Sequence, residues 1–453
     1  MFFSRKMVLS DTKSAMIILQ SRKKRIVQKP FAAMMNEYTS MIQSENSQRQ
    51  ERGMEQNAAF LSVFRAALHR LPLAEIADEL WPAVLEIADR QHVYALISEK
   101  LANLAAFCDS VHYERVLQKS VRYTLVQENR EAQFLHLYMT MREAGLHPLV
   151  MKGMVCRVAY GDLGRLRPSG DEDLLISAAE FWDAWQVLES NGYQPMSKAK
   201  PTNAELVHHV AFQHESGYAI ELHVRPIGTE PTHLQRMDQY FDDAHKRAVT
   251  MAYKGVELHT LCPTDHYLLL IFHMAKHFYS LGFGIRPLAD MAVYYTQYAR
   301  EIQLADVYAA LDACRLMPLY RDLVDIANGQ LGFDLPVPGD AVCPDRLLAH
   351  MLDGGVLGAR DTTTLVSSLM VNSKVSSGHR FGKSVWRVVF PSRERVLRAH
   401  PEYAGKPLKW LLHYPQRWMK GIRTMLGPRR TTPIRSLRSA HERLELLHLY
   451  GME

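Results

Sequence analysis

The chain has 453 residues, 47% hydrophobic and 23% charged, which is enough to bury the cores of two or three domains and excludes a fibrous or disordered chain. No stretch approaches the roughly 18 consecutive apolar residues of a membrane span, and MFFSRKMVLSDTKSAMIILQSRKKR lacks the apolar core and small-residue cleavage site of a secretory leader. The net charge of +6 is uneven: residues 1–30 carry 8 basic and 1 acidic side chain and residues 374–453 carry 17 and 5, which leaves the middle near −13.

A catalytic centre is expected in that acidic middle. The basic ends read as solvated surface, with contact to a polyanion or to an anionic membrane surface as the alternative. The five cysteines, Cys108, Cys156, Cys262, Cys314 and Cys343, are odd in number, scattered and without a CxxC pair. Reduced thiols in a cytoplasmic protein fit that pattern; a disulfide framework or zinc cluster does not.

Residues 1–55 are polar and rich in Lys, Arg, Gln and Ser, and read as weakly ordered. From 57 to 145 apolar residues recur at three- and four-residue spacing through NAAFLSVFRAALHRL, a continuous stretch 73–104, and 113–145, which ends at Gly145. The pattern then changes. HPLVM (147–151) is a short strand, KGMVCRVAY (152–160) opens a helix, and DEDLLIS (171–177) is a second strand. AAEFWDAWQVLESNGY (178–193) is an amphipathic helix, and LVHHVAFQH (206–214) and YAIELHVRP (218–226) form a hairpin across Ser216-Gly217. A mixed unit of about four strands and two helices is expected over 147–226. Helical periodicity returns at PTDHYLLLIFHMAKHFYS (263–280), with Pro263 in the first turn, and runs through three further segments to about 331. The stretch 380–425 is basic and aromatic; core packing is the commoner use of such spacing, and base stacking the rarer.

The sequence RPSGDEDLLI (167–176) places two carboxylates, Asp171 and Asp173, one residue apart at the head of an apolar strand. Alternate strand residues share a face, so Asp171 and Asp173 project together and Glu172 points away. Two carboxylates so close repel unless a cation sits between them. Mg²⁺ takes oxygen ligands of this kind together with substrate phosphates. Glu221, in the apolar run AIELHV, is a candidate third ligand if its strand pairs alongside, because an unpaired charge there is expensive. Three such carboxylates hold two metals about 4 Å apart, the arrangement used for in-line phosphoryl transfer. The bland alternative is that Asp171 is a turn residue after Pro168-Ser169-Gly170 and Asp173 a strand-edge acid, since DxD alone is a weak motif. Gly170 allows close approach of a ligand. Gly153, where a strand turns into a helix, offers backbone N–H groups to an anion, and Lys152 adds a point charge beside it.

Lys152-Gly153 after a short strand, Tyr160, Arg167-Pro168-x-Gly170-Asp171-x-Asp173-Leu174-Leu175-Ile176, Gly192-Tyr193, His208-His209 and Glu221-Leu222-His223 together resemble the uncharacterised nucleotidyltransferase family of bacteria, within the DNA polymerase β-like superfamily. A helix bearing His273, Lys276 and His277, followed by Arg286 and Asp290, agrees. The likeness spans roughly residues 60–425, with its specific motifs inside 150–290. It implies an α+β fold, a small mixed sheet with flanking helices embedded between helical regions. It further implies Mg²⁺ (or Mn²⁺) on Asp171 and Asp173, with Glu221 as the third acid, and transfer of a nucleoside monophosphate from a nucleoside triphosphate to an acceptor hydroxyl. Relatives are linked to surface-polysaccharide or natural-product pathways, so a sugar or small-molecule acceptor is favoured over nucleic acid; a protein- or RNA-nucleotidylating factor and a non-catalytic nucleotide-binding scaffold are the alternatives. The departure is at the first motif, where many relatives have Gly-Ser and this chain has Lys152-Gly153-Met154. The expected organisation is a basic segment over 1–55, a helical region over 56–146, a nucleotidyltransferase-like domain over 147–260, a helical domain over 261–375 and a basic region over 376–453.

Arg167 reads equally as a phosphate clamp and as an ion-pair partner that orients Asp171. Lys276 and Arg286 are candidates to reach a triphosphate from the helical side, and Asp290 to pair with one of them. One or two of His208, His209 and His223, with His209 the chosen candidate, are expected to line a nucleotide or acceptor pocket; a zinc site from the three is the alternative, although their spacing matches no standard zinc motif. His273 and His277 share a helix face, where packing or substrate contact is favoured over metal.

Overall fold

The computed structural model describes residues 51–197, 200–228, 232–280, 282–354 and 433–452. The chain divides into two compact units, Met1–Ala58 and Ala59–Glu453. Of the first, residues 51–58 are described and are helical; the rest of the segment expected to be weakly ordered, and the basic aromatic stretch at 380–425, lie outside the described residues. No helix among the described residues is long and apolar enough to cross a membrane.

The second unit is α+β. It opens with α1 (residues 59–69), α2 (Trp81–Arg90), α3 (Tyr94–Ala102), α4 (Ala105–Cys108) and the long α5 (Tyr113–Glu143). The stretch 73–104, continuous by its periodicity, is broken twice. Pro82 lies in the first turn of α2, after a 3₁₀ turn at Asp78–Leu80, and His92 adopts φ +53°, which a helix cannot continue through.

A seven-stranded mixed sheet follows, in the order β3-β4-β5-β2-β1-β7-β6. Its strands are β1 (Leu149–Met151), β2 (Asp171–Leu175), β3 (Tyr193–Pro195), β4 (His209–His214), β5 (Ala219–His223), β6 (Val249–Tyr253) and β7 (Val256–Thr260). The four strands and the hairpin turn at Gly217 (φ +80°) stand where the alternation places them. The sequence reading lacks β3, which has only three residues, and the β6–β7 hairpin. The outer strand β6, VTMAY, is apolar in four of its five residues, yet exposed or half-buried throughout, so it lacks the apolar–polar alternation of a one-sided strand.

Between β1 and β2 the chain forms α6 (Gly153–Ala159) and a 3₁₀ turn at Gly161–Leu166. Helix α7 (Phe181–Ser190) precedes β3, and α8 (Thr232–Asp238) precedes β6. Helices α9 (Pro263–Ser280), α10 (Ile285–Tyr298), α11 (Leu304–Ala313), α12 (Met317–Gly329), α13 (Pro344–Gly354) and α14 (Pro433–Leu449) complete the unit. Helix α6 packs on β1, β2 and α10, and α9 packs on α10, so the carboxylate-bearing strand is braced from both the N-terminal and C-terminal helical parts.

The middle acid, Glu172, explains part of this packing. It points away from Asp171 and Asp173, is 1% exposed, and accepts the Met154 N–H at the start of α6 at 2.7 Å. Burial pushes its carboxyl up to about 7 against the pull of Arg167 and Arg157. Its presence requires a glycine at 153, where an added Cβ would lie 2.0 Å from Glu172 Oε2. Gly153→Ala is therefore expected to destabilise the fold by about 1–3 kcal/mol, the usual cost of overpacking. Urea unfolding measures it, and in the Glu172→Ala background most of the cost should vanish.

Candidate active site

The loop before β2 is fixed from two sides. Helix α5 supplies Gln127, which donates to the Ser169 carbonyl (3.1 Å) and accepts from its N–H (2.9 Å), and Arg130, which donates to the same carbonyl at 2.8 Å. Helix α10 supplies Arg286, whose Nη1 donates to the Pro168 carbonyl at 3.2 Å. Ser169 Oγ donates onward to the Asp171 carbonyl at 2.7 Å. These bonds satisfy a buried turn and set where β2 begins.

From there register takes over. β2 pairs parallel with β5 so that Asp173 lies beside Glu221 and Leu175 beside His223; on its other side β2 runs antiparallel to β1, with Asp173 opposite Met151. His223 is two residues beyond Glu221 and on the same face. Its Nε2 lies 2.8 Å from Asp173 Oδ1 and 3.2 Å from Glu221 Oε2. Lys152 Nζ reaches the same Asp173 oxygen at 3.0 Å. Asp173, Glu221 and His223 each offer a ligand atom within 4.8 Å of the others. Two carboxylate oxygens and a ring nitrogen on a mouth that opens at Asp171 suit a divalent cation. Asp171 flanks this group, exposed and paired in register with Ala219.

The electrostatics follow from crowding. Burial opposes ionisation of Asp173, yet Lys152 and His223 hold it well below the usual carboxylate range. Burial likewise opposes ionisation of Glu221, and His223 outweighs it, so this carboxyl is also lowered. Lys152 is raised despite burial, by Asp173 and Glu221. Asp171, by contrast, is raised by desolvation and then by the Asp173 and Glu221 charges. Lys276 on α9, with Nζ 3.3 Å from His208 Nε2, is lowered to about 8 by burial and by Lys152.

The backbone at Lys152 is strained. Its φ is +48° and ψ −97°, a region that a residue with a side chain rarely occupies. The Lys152 N–H donates to His266 Nε2 at 3.0 Å, so a fully buried histidine of α9 holds the turn from which the lysine reaches Asp173.

The expected residues thus divide. Asp171, Asp173, Glu221, Lys152, His209 and Lys276 come together around one mouth. Gly170 lies in the clamped turn, with open space beside its Cα. Gly153 faces Glu172. Arg167 is 4% exposed and engages Asp290 through two bonds, Nε to Oδ1 at 2.9 Å and Nη2 to Oδ2 at 2.8 Å, while Nη1 donates to the Gly153 carbonyl at 3.1 Å. Its ion-pair partner is Asp290, not Asp171. Asp290 has Arg286 Nε as a looser second partner at 3.9 Å. His273 and His277 meet each other, Nε2 to Nε2 at 3.1 Å. The two-residue spacing from Glu221 brings His223 into the sequence reading, though not its contact with Asp173; His266 is absent from it, because nothing local signals a residue that depends on a helix returning to β1. A cavity of about 340 Å³ lies past the ends of β2 and β5, beside Ser177, Arg225 and Asp238. It is lined by none of the three acids, and Asp238 is already engaged by Arg225 and by the Ile227 and Gly228 N–H groups.

Two outcomes are expected. Asp290→Asn leaves the Arg167 guanidinium buried without its counter-charge and should cost about 3–5 kcal/mol in urea unfolding. His266 is lowered to about 3 by burial, then by Lys152 and Arg167. Its neutral form is native, so its contribution is complete above the unfolded value of about 6.5 and is lost as pH falls from 6.5 toward 3, by about 1.4 kcal/mol per unit. Unfolding free energies at pH 7 and pH 5 should show wild type losing about 2 kcal/mol more than His266→Gln.

The family model described as "uncharacterised nucleotidyltransferase" matches residues 77–329, which takes in α2 through α12, the whole sheet and every residue of the site. No curated protein and no solved structure matches the chain. With more than half of its length covered, the chain belongs to this nucleotidyltransferase family.

Proposed function

We propose that the protein binds a nucleoside triphosphate with Mg²⁺ or Mn²⁺ at the Asp171–Asp173–Glu221 mouth, in the manner of polymerase β-like enzymes, and transfers its nucleoside monophosphate to an acceptor hydroxyl. The observation that carries this reading is the register of β2 on β5. It sets two carboxylates side by side in a largely buried place, with Asp171 at the rim. In the transfer, the acceptor oxygen bonds to the α-phosphorus and the bond from phosphorus to the pyrophosphate oxygen breaks. Pyrophosphate leaves and the hydroxyl proton passes to solvent. A divalent ion, when bound, supplies Lewis acidity toward the phosphate oxygens.

The chain's own residues supply position and charge. Lys152 and His223 keep Asp173 ionised. Glu221 is held below the ordinary range by His223 despite burial, which suits it to holding a cation better than to taking a proton from the acceptor. Arg286 and Lys276, on α10 and α9, are the candidates to meet phosphate oxygens. Arg286 Nε is buried with no hydrogen-bond partner among the described residues, a donor still to be satisfied. Arg167, spent on Asp290, positions Arg286 and the turn instead of touching phosphate. A sugar or other small-molecule hydroxyl is the favoured acceptor.

Calorimetric titration of each nucleoside triphosphate with Mg²⁺ tests this. Asp173→Asn should weaken metal-dependent binding by about 100-fold, or about 2.7 kcal/mol, and Arg286→Met by about 10-fold. Equal binding by wild type and Asp173→Asn would reject the site.

A further inference from the structure

We infer that His208, His209 and His223 form a second ion site, for a transition metal of the Zn²⁺ class, on the flank of the carboxylate group. It takes a different class of ion from the nucleotidyl-transfer site and adjoins it through His223. His209 and His223 are paired residues of the antiparallel β4–β5 ladder, so their rings lie on one face; they stack with centroids 5.0 Å apart and planes 22° apart. His208 immediately precedes β4. Its carbonyl accepts the Val224 and Arg225 N–H groups at 3.0 and 3.2 Å, which fixes its backbone beside the end of β5. The three residues each present a ring nitrogen within 4.8 Å of the others.

Three details favour an ion over packing. His208 Nδ1 and His209 Nδ1 point at each other across 3.0 Å. Two nitrogens on one ion, at bond lengths of 2.0–2.1 Å, sit about 3.0–3.4 Å apart. His208 Nε2 accepts from Lys276 Nζ at 3.3 Å, a donor that has to yield its proton or withdraw when His208 Nδ1 binds the ion, while His223 Nδ1 meets the Arg225 carbonyl at 3.2 Å, the partner that a ligating ring keeps. That carbonyl accepts from His223 Nδ1, so the His223 Nε2 lone pair faces the carboxylates of Asp173 and Glu221. Such an arrangement requires a cation, whether proton or metal, at that point. Glu221 Oε2, 3.2 Å from His223 Nε2 and 4.0 Å from His209 Nε2, borders the group on the side of the carboxylates. The His208 ring is also boxed in: Gly228 adopts φ +112°, and an added Cβ there would lie 3.3 Å from the ring.

The donor set decides the ion. Three imidazoles disfavour Mg²⁺, which takes oxygen and retains its water, and favour Zn²⁺, Co²⁺ and their neighbours. The site shares His223 and Glu221 with the carboxylate group, so the two occupancies are coupled.

The test uses the full chain, stripped of metal and without nucleotide. Co²⁺ is titrated in and followed by its visible absorption. One equivalent is expected to bind, to be displaced by Zn²⁺, and to resist a large excess of Mg²⁺. His208→Ala/His209→Ala should weaken binding by about 100-fold or more, beyond the loss of an outer partner alone. Asp171→Asn should leave it intact. Because the double variant alters a packed corner, the single His209→Gln, on a half-exposed ring, serves as the second variant, with circular dichroism confirming its fold; about a 10-fold loss is expected. Absence of absorption, displacement by Mg²⁺ at like concentration, or unchanged binding in both variants would overturn the site and leave an N–H···N hydrogen bond between the two rings.

Discussion

The parallel pairing of β2 with β5 is the constraint on which the rest depends. It sets Asp173 beside Glu221, and like charges at neighbouring positions on one sheet face are destabilising. The fold accepts that cost only because two cations enter from different elements. His223 arrives on the same strand as Glu221, one register step on. Lys152 arrives from the turn after β1 and reaches Asp173 at 3.0 Å. A shift of β5 by one residue would send Glu221 and His223 to the opposite face together, and the group would be lost as a whole.

The turn that delivers Lys152 is itself held in place. A φ of +48° is a poor conformation for a lysine, and it is kept by the bond from its N–H to His266 on α9. Helix α9 is therefore a support for the site as well as a wall of it, since Lys276 comes from the same helix. On the other flank the Arg167–Asp290 pair ties the turn before β2 to α10. An ion pair this deeply buried contributes little net stability compared with apolar packing. Its two-bond geometry fixes a direction, and with it the place of Arg286, four residues before Asp290.

Much of this was legible in the sequence. Alternation and the Ser216-Gly217 turn give β4 and β5, and DEDLLI announces the acids, because residues of that kind at the head of an apolar run need partners. Period-two reasoning correctly separates Asp171 and Asp173 from Glu172. The partners themselves were not legible. Which cation meets Asp173 depends on residues up to 50 positions away, and whether Arg167 turns to Asp171 or to Asp290 on one 123 positions away, and no local spacing encodes those. The outer strand β6 was missed for a different reason: its residues VTMAY do not alternate between apolar and polar, because neither face of that edge strand is fully buried.

Glu172 shows why DEDLLI has three acids and not two. Asp171 and Asp173 point toward the mouth, while Glu172 passes to the other face and accepts the Met154 N–H in the first turn of α6. The N-terminus of that helix, read from the sequence as a place for phosphate, is thus met by a carboxylate of the chain itself. A helix N-terminus favours any anion, and the nearest one is supplied by the same strand that carries the site. The arrangement locks α6 to β2 and fixes the sheet face on which Asp171 and Asp173 must lie. It also accounts for Gly153 without a ligand, because only glycine leaves room for the Glu172 carboxylate. One strand of five residues therefore presents charge to the mouth on one side and secures its own orientation on the other.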